Sequence, residues 1–378
     1  MQTKKLGELA TFINGFAFKP TDWGDTGLPI IRIQDLTGNS YRKNYYEGKY
    51  SKKIEINNGD VLISWSASLG VYIWNRGKAL LNQHIYKVIF DKVNIDKNYF
   101  VYAVRFNLDK MALKTHGATM KHIVKNDFYN IDIPFPNQEI QNKISAVLSK
   151  VESIIEYRKQ QLEQLDLLIK SRFIEMFGVP GTDDFGWGLA SLGDVCKVNP
   201  KKGQDQQPNH NIEVSFVPMS AVSEQGTINT TTVKQYDEVK TGFTYFIEND
   251  VLFAKITPCM ENGKGAVARN LHNGVGFGST EFHVLRPING KTNADWIYAL
   301  TIFHKFRLDA SNHMSGSAGQ RRVPASFLEN YRVSVPPFEL QEKFSDFIEK
   351  IDKSKLAIQK SIEKLEILKK SLMQKYFG

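Results

Sequence analysis

The sequence is poor in the residues that hold small secreted domains and metal centres together, with two cysteines in 378 residues. Cys196 and Cys259 form neither a disulfide framework nor the paired spacing of a zinc site, and the histidines are scattered. No apolar run approaches the roughly 18 residues that a membrane span needs, and no apolar core follows the charged N-terminus as in a signal peptide. We therefore expect a folded, membrane-free protein of the reducing cytoplasm.

Sequence motifs for common enzymatic chemistry are also missing. The chain has no Asn/Asp-Pro-Pro-Tyr motif for adenine methylation, no glycine motif for S-adenosylmethionine, no Pro-Asp…Glu-x-Lys nuclease core and no ATP-binding loop. The glycines of residues 274–278 do not follow the spacing of a dinucleotide site. These absences predict a binding protein that is not an enzyme by itself and holds no cofactor or metal of its own.

The sequence repeats itself at a separation of 200 residues. Residues 139–178 align on residues 339–378 without a gap. The identities at +200 are Glu139, Gln141, Lys143, Ser145, Lys150, Glu163, Leu165, Leu168, Lys170, Ser171, Phe177 and Gly178. So long a period does not fit a solenoid. It predicts a duplicated half-molecule with domains at 1–137 and 179–337 and long helices at 138–178 and 338–378.

Apolar residues recur every seven positions in both predicted helices, which contain no internal proline or glycine. The predicted seam comprises Ile144, Val151, Leu165, Leu168, Phe344, Ile351, Ile358, Leu365 and Leu372. At 1.5 Å per residue each helix is roughly 55–60 Å long. We expect the two helices to pair as an antiparallel coiled coil with a pseudo-twofold axis. The alternative is that each helix packs on its own domain.

The two domains have strand-like runs and a few helix-like runs, so the predicted fold class is α+β with two mixed, mainly β domains. Predicted strands are Leu28–Ile33, Asp60–Ser64, Val71–Trp74, Ile85–Phe90, Ser215–Met219, Asp250–Ile256, Gly265–Ala268 and Phe282–Leu285. Predicted helices occupy equivalent places at Tyr99–Leu113 and Ala294–Leu308.

Positive charge is concentrated in the first domain. Residues 1–137 contain 19 Lys and Arg against 12 Asp and Glu, whereas residues 179–337 contain 15 of each. A basic surface favours a polyanionic partner, although solubility alone is the competing explanation. Residues 41–53 interleave four tyrosines with five cations, a composition that suits phosphates and sugars.

Polar side chains near predicted strand ends supply further candidate contacts to nucleic acid. The predicted contacts of the first domain are Arg42, Lys43, Tyr45, Tyr46, Lys49, Tyr50, Lys52, Lys53, Ser64, Trp65, Ser66, Gln83, His84, Lys121 and His122. Those of the second are Lys255, Thr257, Glu261, Asn262, Lys264, Gln320, Arg321 and Arg322. The loops 119–122 and 319–322 are interpreted as paired phosphate clamps. A buried polar network remains the equal alternative for residues 82–84.

Three pairs of short motifs connect this layout to a known family. They are the helix entrances 135–144 and 337–344, the domain openings 6–9 (Leu-Gly-Glu-Leu) and 192–195 (Leu-Gly-Asp-Val), and the strand entries 58–64 and 248–254. Together they resemble the specificity subunit of type I restriction–modification systems over the whole chain. Asn137 departs from the second proline that this family usually has at the first helix entrance.

The resemblance implies a mechanism and a set of partners. Each domain would read one half of a split double-stranded DNA target, and the helices would fix the unread spacer and dock two copies of a methyltransferase subunit. S-adenosylmethionine, ATP and Mg²⁺ would belong to that subunit and to a restriction subunit, in a bacterial or archaeal cytoplasm at the nucleoid. An enzyme with a degenerate active site and a scaffold without a DNA role are the rival hypotheses.

Overall fold

The computed structural model describes residues 2–39, 42–114, 124–201, 212–317 and 319–378, with residues 110–114 described by their backbone alone. The chain forms two compact units. The first comprises Met1–Lys159 with Lys360–Gly378, and the second comprises Gln160–Gln359. Each unit therefore combines one β-rich domain with a part of each long helix.

The first unit contains two four-stranded sheets and a two-stranded ribbon. Its strands are β1 (Thr3–Lys5), β2 (Thr11–Asn14), β3 (Leu28–Ile31), β4 (Asn44–Tyr46), β5 (Glu55–Ile56), β6 (Val61–Ser64), β7 (Gly70–Ile73), β8 (Ala79–Leu81), β9 (Ile85–Ile89) and β10 (Asp132–Pro134). Its shorter helices are α1 (Leu6–Leu9), α2 (Ile33–Thr37), α3 (Lys97–Lys114) and α4 (Lys125–Tyr129). The sheet orders are β2-β9-β6-β7 and β4-β3-β8-β5, and β1 pairs with β10. All pairs are antiparallel except β3 with β8.

The second unit repeats this topology strand for strand. Its strands are β11 (Leu189–Ser191), β12 (Cys196–Val198), β13 (Glu213–Val217), β14 (Val233–Gln235), β15 (Thr244–Ile247), β16 (Val251–Ala254), β17 (Gly265–Val267), β18 (Val275–Gly278), β19 (Phe282–Pro287) and β20 (Arg332–Ser334). Its shorter helices are α6 (Leu192–Val195), α7 (Tyr236–Val239), α8 (Ala294–Thr301), α9 (His304–Asn312) and α10 (Ala325–Asn330). The sheet orders are β12-β19-β16-β17 and β14-β13-β18-β15, and β11 pairs with β20. The duplication thus extends from the long helices to both sheets.

The central strand of each unit is buried on both faces. In β6, Val61 and Ile63 belong to the core that contains the helices, whereas Leu62 belongs to the core between the two sheets. In β16, Phe253 and Leu252 divide in the same way. Burial on both faces explains why these strands are continuous apolar runs rather than alternating ones.

The long helices are α5 (Gln138–Phe177) and α11 (Phe338–Phe377). In the first unit the core includes Ile144 near the start of α5 and Phe377 at the end of α11. In the second unit the core includes Phe173 near the end of α5 and Phe344 near the start of α11. The helices therefore run antiparallel within each unit, and the predicted fold class is confirmed. Both helices contribute to both cores, which rules out the alternative in which each packs on its own domain.

Several predicted strands end one or two residues before their apolar runs do, and one predicted helix is divided in two. The run Leu28–Ile33 is a strand only as far as Ile31, because α2 begins at Ile33 and the Asp35 carboxylate accepts a hydrogen bond from the Arg32 N–H at 2.8 Å. The run Ala294–Leu308 is divided into α8 and α9. Phe303 interrupts it with an extended backbone (φ −70°, ψ 138°), and its ring packs against Phe173 at a centroid distance of 5.0 Å.

A buried glutamine joins the start of each long helix to a neighbouring helix. Gln141 accepts a hydrogen bond from the Asp96 N–H at 3.0 Å and donates to the Pro136 carbonyl at 2.8 Å. Gln341 accepts from the Asn293 N–H at 3.1 Å. It also donates to the carbonyls of Pro336 and Lys291, each at 2.9 Å. Asn293 in turn caps α8 by accepting from the Trp296 N–H at 3.0 Å.

Replacing Gln341 with leucine is expected to destabilise the second unit by about 1–3 kcal/mol, because one N–H and two carbonyls would lose a buried partner. Urea unfolding measures the loss, and faster hydrogen exchange in α8 places it. The matched variant is Gln164→Ala, at an exposed glutamine of α5 in the same unit. Equal stability of the two variants would contradict the structural role of Gln341.

Candidate nucleic-acid interface

In the first unit, the turn that follows β6 meets the residues before β9. The Trp65 ring contacts His84 edge-on at 4.9 Å and stacks on Tyr86 at 5.7 Å. Its indole N–H donates to the Asn14 side chain at 3.3 Å. His84 has a left-handed backbone (φ 70°), which turns the chain so that the neighbouring Gln83 is exposed. The sequence predicted Trp65, Gln83 and His84 as contacts, and the structure brings them to one edge of the sheet.

The basic loop of residues 42–53 exposes its cations and packs its aromatic rings. Lys43, Lys49, Lys52 and Lys53 are exposed. In contrast, the rings of Tyr46 and Tyr50 pack against the hydrophobic cluster of Phe18, Ile30, Ile54 and Leu80. The surface presented by this loop is therefore mainly positive charge.

The remaining tyrosine and arginine of this loop also have intramolecular roles. Tyr45 belongs to β4, and its N–H and carbonyl pair with the backbone of Gly24 at 3.0 and 2.9 Å. The Arg42 guanidinium lies 3.1 Å from the Asp25 carboxylate, and both side chains are exposed. The Arg32 guanidinium donates to the Arg42 carbonyl at 2.9 Å, which holds the start of the loop.

Two of the predicted contacts are buried instead of exposed. The side chain of Ser64 is fully buried in β6, and its hydroxyl donates to the Ser68 carbonyl, so it stabilises the turn. Ser66 is 9% exposed. A strand that is buried on both faces extends its burial into the following turn, and sequence periodicity does not show this. Lys121 and His122 lie outside the described residues.

Trp65, His84 and Tyr86 form the aromatic edge of the first unit. In the second unit, strand register identifies the residues that correspond to them. The pairing of β16 with β19 matches that of β6 with β9, so Lys255 takes the place of Trp65 and Glu281 that of His84. His283 likewise stands where the first unit has Tyr86. At two of these three positions, an aromatic side chain in the first unit is thus replaced by a charged side chain in the second.

Ion pairs and backbone pairing fix the charged edge of the second unit. The Glu281 carboxylate accepts two hydrogen bonds from the Arg322 guanidinium, at 2.7 and 2.9 Å. The bond to Arg322 lowers the pKa of Glu281, so this carboxylate is ionised at neutral pH. The backbone of Arg322 pairs with Ser315 at 2.8 and 3.0 Å, and the Thr257 N–H donates to the Arg321 carbonyl at 3.0 Å.

The other predicted residues of the second unit surround this edge. Gln320 and Asn262 are exposed, Lys255 is half-buried, and the Lys264 ammonium donates to the Met219 carbonyl at 3.4 Å. The loop 319–322 therefore lies beside residues 255–257, although the sequence separates the two segments by more than 60 positions. Sequence reasoning missed Glu281 and His283, because an isolated carboxylate or histidine at a strand end has no motif.

His283 is buried below the charged edge. One ring nitrogen is 2.8 Å from the Val323 carbonyl, and the other is 2.9 Å from the Asn199 amide. Burial lowers the pKa of His283 below its usual range, and the positive charge of Lys255 adds to this. His283 is therefore neutral at physiological pH.

The predicted seam residues of the long helices divide into buried and exposed groups. Ile144, Val151, Phe344 and Ile351 are buried, and Leu165, Ile358, Leu365 and Leu372 are half-buried. Leu168 is 46% exposed, whereas its neighbour Ile169 is buried. The buried positions of α5 also include those four residues after the seven-residue series, at Leu148, Ile155 and Ile169, so Ile169 makes this contact in place of Leu168.

The described residues contain no cluster of His, Cys, Asp and Glu arranged to hold a metal ion. Among the helices in the described ranges, none is long and apolar enough to cross a bilayer.

The fold defines a class of protein in which two copies of one α+β unit share a pair of long antiparallel helices. The family model described as "Type I restriction modification DNA specificity domain" matches residues 1–167 and 185–368. The chain belongs to this family, and the resemblance found in the sequence is confirmed.

Individual relatives agree with this assignment. The EcoEI type I specificity subunit of Escherichia coli is 36% identical over 205 residues, which make up 53% of this chain and 32% of that subunit. The chain thus matches about a third of the length of that relative. The MjaIX type I specificity subunit of Methanocaldococcus jannaschii is 22% identical over 98% of this chain and 90% of its own. The crystal structure of a type I S subunit from M. genitalium has the same fold, with a TM-score of 0.55 at 15% identity over 100% of this chain and 96% of that one.

The low pKa of His283 predicts that the second unit loses stability as the pH falls below about 6.5, where the unfolded chain takes up a proton that the folded one resists. The slope contributed by this group is at most about 1.4 kcal/mol per pH unit. Thermal unfolding at pH 7.5 and 5.5 should show a larger drop for the wild type than for His283→Gln. The exposed His304 provides the matched variant, and an equal drop in wild type and His283→Gln would contradict the prediction.

Proposed function

We propose that this chain is a DNA-recognition subunit that reads a two-part target, one part with each unit, and performs no chemistry itself. The observation that supports this proposal most directly is that the two units share one sheet topology and differ at corresponding half-buried positions of the sheet edge, as in Trp65 against Lys255 and His84 against Glu281. Two identical edges would serve a repeated target. Two unlike edges suit two different half-sites.

The charge distribution supports duplex DNA as the target. The exposed lysines of residues 43–53 suit contacts to phosphates, which supply most of the affinity without sequence preference. Polar and aromatic side chains at the sheet edges suit base edges in a groove. This division assigns positioning to the lysine loop and sequence reading to residues such as Gln83 and Arg321.

The long helices suit the role of a spacer. Each continues without interruption past the unit boundary, at Lys159 in α5 and at Gln359 in α11. We propose that their length sets the number of unread base pairs between the two half-sites.

Exposed apolar residues on the same helices support docking of partner subunits. They are Ile140, Val147, Tyr157, Leu167, Leu168, Ile174, Leu356, Ile367 and Leu368. Because the helices are repeats of one another, two such surfaces suit two copies of a methyltransferase subunit. S-adenosylmethionine would belong to those copies, and ATP and Mg²⁺ to a restriction subunit that joins them.

The DNA role predicts that Lys43→Ala and Lys52→Ala weaken binding to all duplexes. Each variant should also reduce the slope of log affinity against log salt concentration by about one for each phosphate contact that is lost. Titrations of the full chain over a range of salt concentrations measure both effects. The control is Lys143→Ala, which removes an exposed lysine of α5 that pairs with Glu139. An unchanged salt slope in the loop variants would show that the lysine loop lies outside the interface.

Turnover by the purified chain with DNA, Mg²⁺ and S-adenosylmethionine would contradict the proposed non-catalytic role.

The spacer role predicts that inserting seven helix-forming residues after Lys159 and seven after Gln359 lengthens the unread segment. The insertion adds about 10.5 Å of helix, or about three base pairs at 3.4 Å each. Methylation mapping in cells that contain the methyltransferase subunit reads out the spacer length. The control inserts residues after Lys159 alone, which puts the two helices out of register and should abolish methylation. A lengthened pair of helices with an unchanged spacer would contradict the proposal.

A further inference from the structure

The connection between β16 and β17 is longer than its counterpart in the first unit. It spans residues 255–264, whereas the connection between β6 and β7 spans residues 65–69. The longer connection contains Glu261, whose carboxylate lies 3.9 Å from the Arg321 guanidinium. The second unit therefore has an acidic and a basic side chain next to each other at its charged edge.

Hydrogen bonds from Thr257 hold both Glu261 and Arg321. The Thr257 hydroxyl donates to the Glu261 carboxylate, and the Thr257 N–H donates to the Arg321 carbonyl at 3.0 Å. The neighbouring Arg322 is held by Glu281. Arg322 therefore positions the backbone of Arg321, whose side chain remains 44% exposed. Residues fixed in this way lose little conformational freedom when a ligand binds.

The surrounding charge argues against a simple phosphate contact. Glu281 pairs closely with Arg322 and Glu261 lies beside Arg321, so two carboxylates accompany the cations Arg321, Arg322 and Lys255 at this edge. A carboxylate next to a phosphate is repelled, whereas a carboxylate is a suitable acceptor for the amino group of cytosine. Residues 320–322 are therefore better suited to contacting bases than to the phosphate-clamp role that the sequence suggested for residues 319–322.

We propose, on the basis of the DNA-recognition function above, that Arg321 and Glu261 read a G·C base pair in the major groove of the half-site bound by the second unit. Guanine presents the acceptors O6 and N7, which match the donors of Arg321, and cytosine presents an N4 amino donor, which matches the Glu261 carboxylate. An A·T pair places an amino donor opposite the guanidinium and an acceptor opposite the carboxylate. The pair of side chains therefore both selects G·C and rejects A·T.

The test is selection of a random duplex library by the full chain, followed by competition binding in which each base pair of the selected motif is replaced. For the wild type, replacing one G·C pair with A·T should cost between about 5-fold and 150-fold in affinity. Arg321→Ala and Glu261→Gln should each reduce this penalty at the same base pair and leave the penalties at other positions unchanged. Lys240→Ala, which removes a cation elsewhere in the unit, should leave every penalty unchanged. Equal thermal unfolding of the variants shows that the fold is intact, and Glu261→Gln preserves the shape of the side chain.

Three results would overturn the inference. If Arg321→Ala weakened binding to all duplexes by the same factor and lowered the salt slope, Arg321 would contact a phosphate instead of a base. The proposed DNA-recognition function would be unaffected by that result. If the wild type selected a motif and neither variant changed it, the two residues would lie outside the interface. If the wild type selected no motif, the proposed function would fail, and this inference with it.

Discussion

The structure depends on the antiparallel packing of the two long helices within each unit. Each helix ends on a phenylalanine that is buried in a core. Phe177 contacts Phe344 at 5.3 Å in the second unit, and Phe377 contacts Tyr99 at 5.3 Å in the first. The buried glutamines at the helix starts then connect this packing to α3 and α8. Because burial of large aromatic rings is strongly stabilising, these contacts determine where each β domain sits on its helices.

The two units share one sheet topology, but the partners in their ion pairs differ. Asp60 pairs with Lys87 at 2.9 Å in the first unit, and Asp250 pairs with Arg286 at 2.7 Å in the second. The two aspartates correspond, but the cations come from different positions of β9 and β19. Asp250 must keep a partner because an unpaired buried charge is costly, whereas the Asp60 side chain is 26% exposed. The position of the cationic partner differs between the two units. The sheet edges vary further, since nothing in the fold requires a particular side chain there.

Long-period repetition and helical periodicity made the helices and the fold class predictable, because both signals depend only on residue type and spacing. The break after α8 was not predictable, since it depends on Phe303 packing against Phe173 of a distant helix. The burial of Ser64 and Ser66 was missed for a related reason: they follow a strand covered on both faces, and the covering residues come from other parts of the chain. The repeated Gln141 and Gln341 were visible as identities, but only their hydrogen bonds explain why glutamine is required.

The amino-acid order alone was sufficient to establish two repeated halves, two long helices with an apolar seam and a basic first domain, since these properties depend on residue type and spacing. It left open which side chains share a surface. Strand pairing decides that Lys255 and Glu281 meet Arg322, residues that lie far apart along the chain. The chemistry of each sheet edge is therefore a property of the folded unit, because register brings together charges whose proximity no local pattern records.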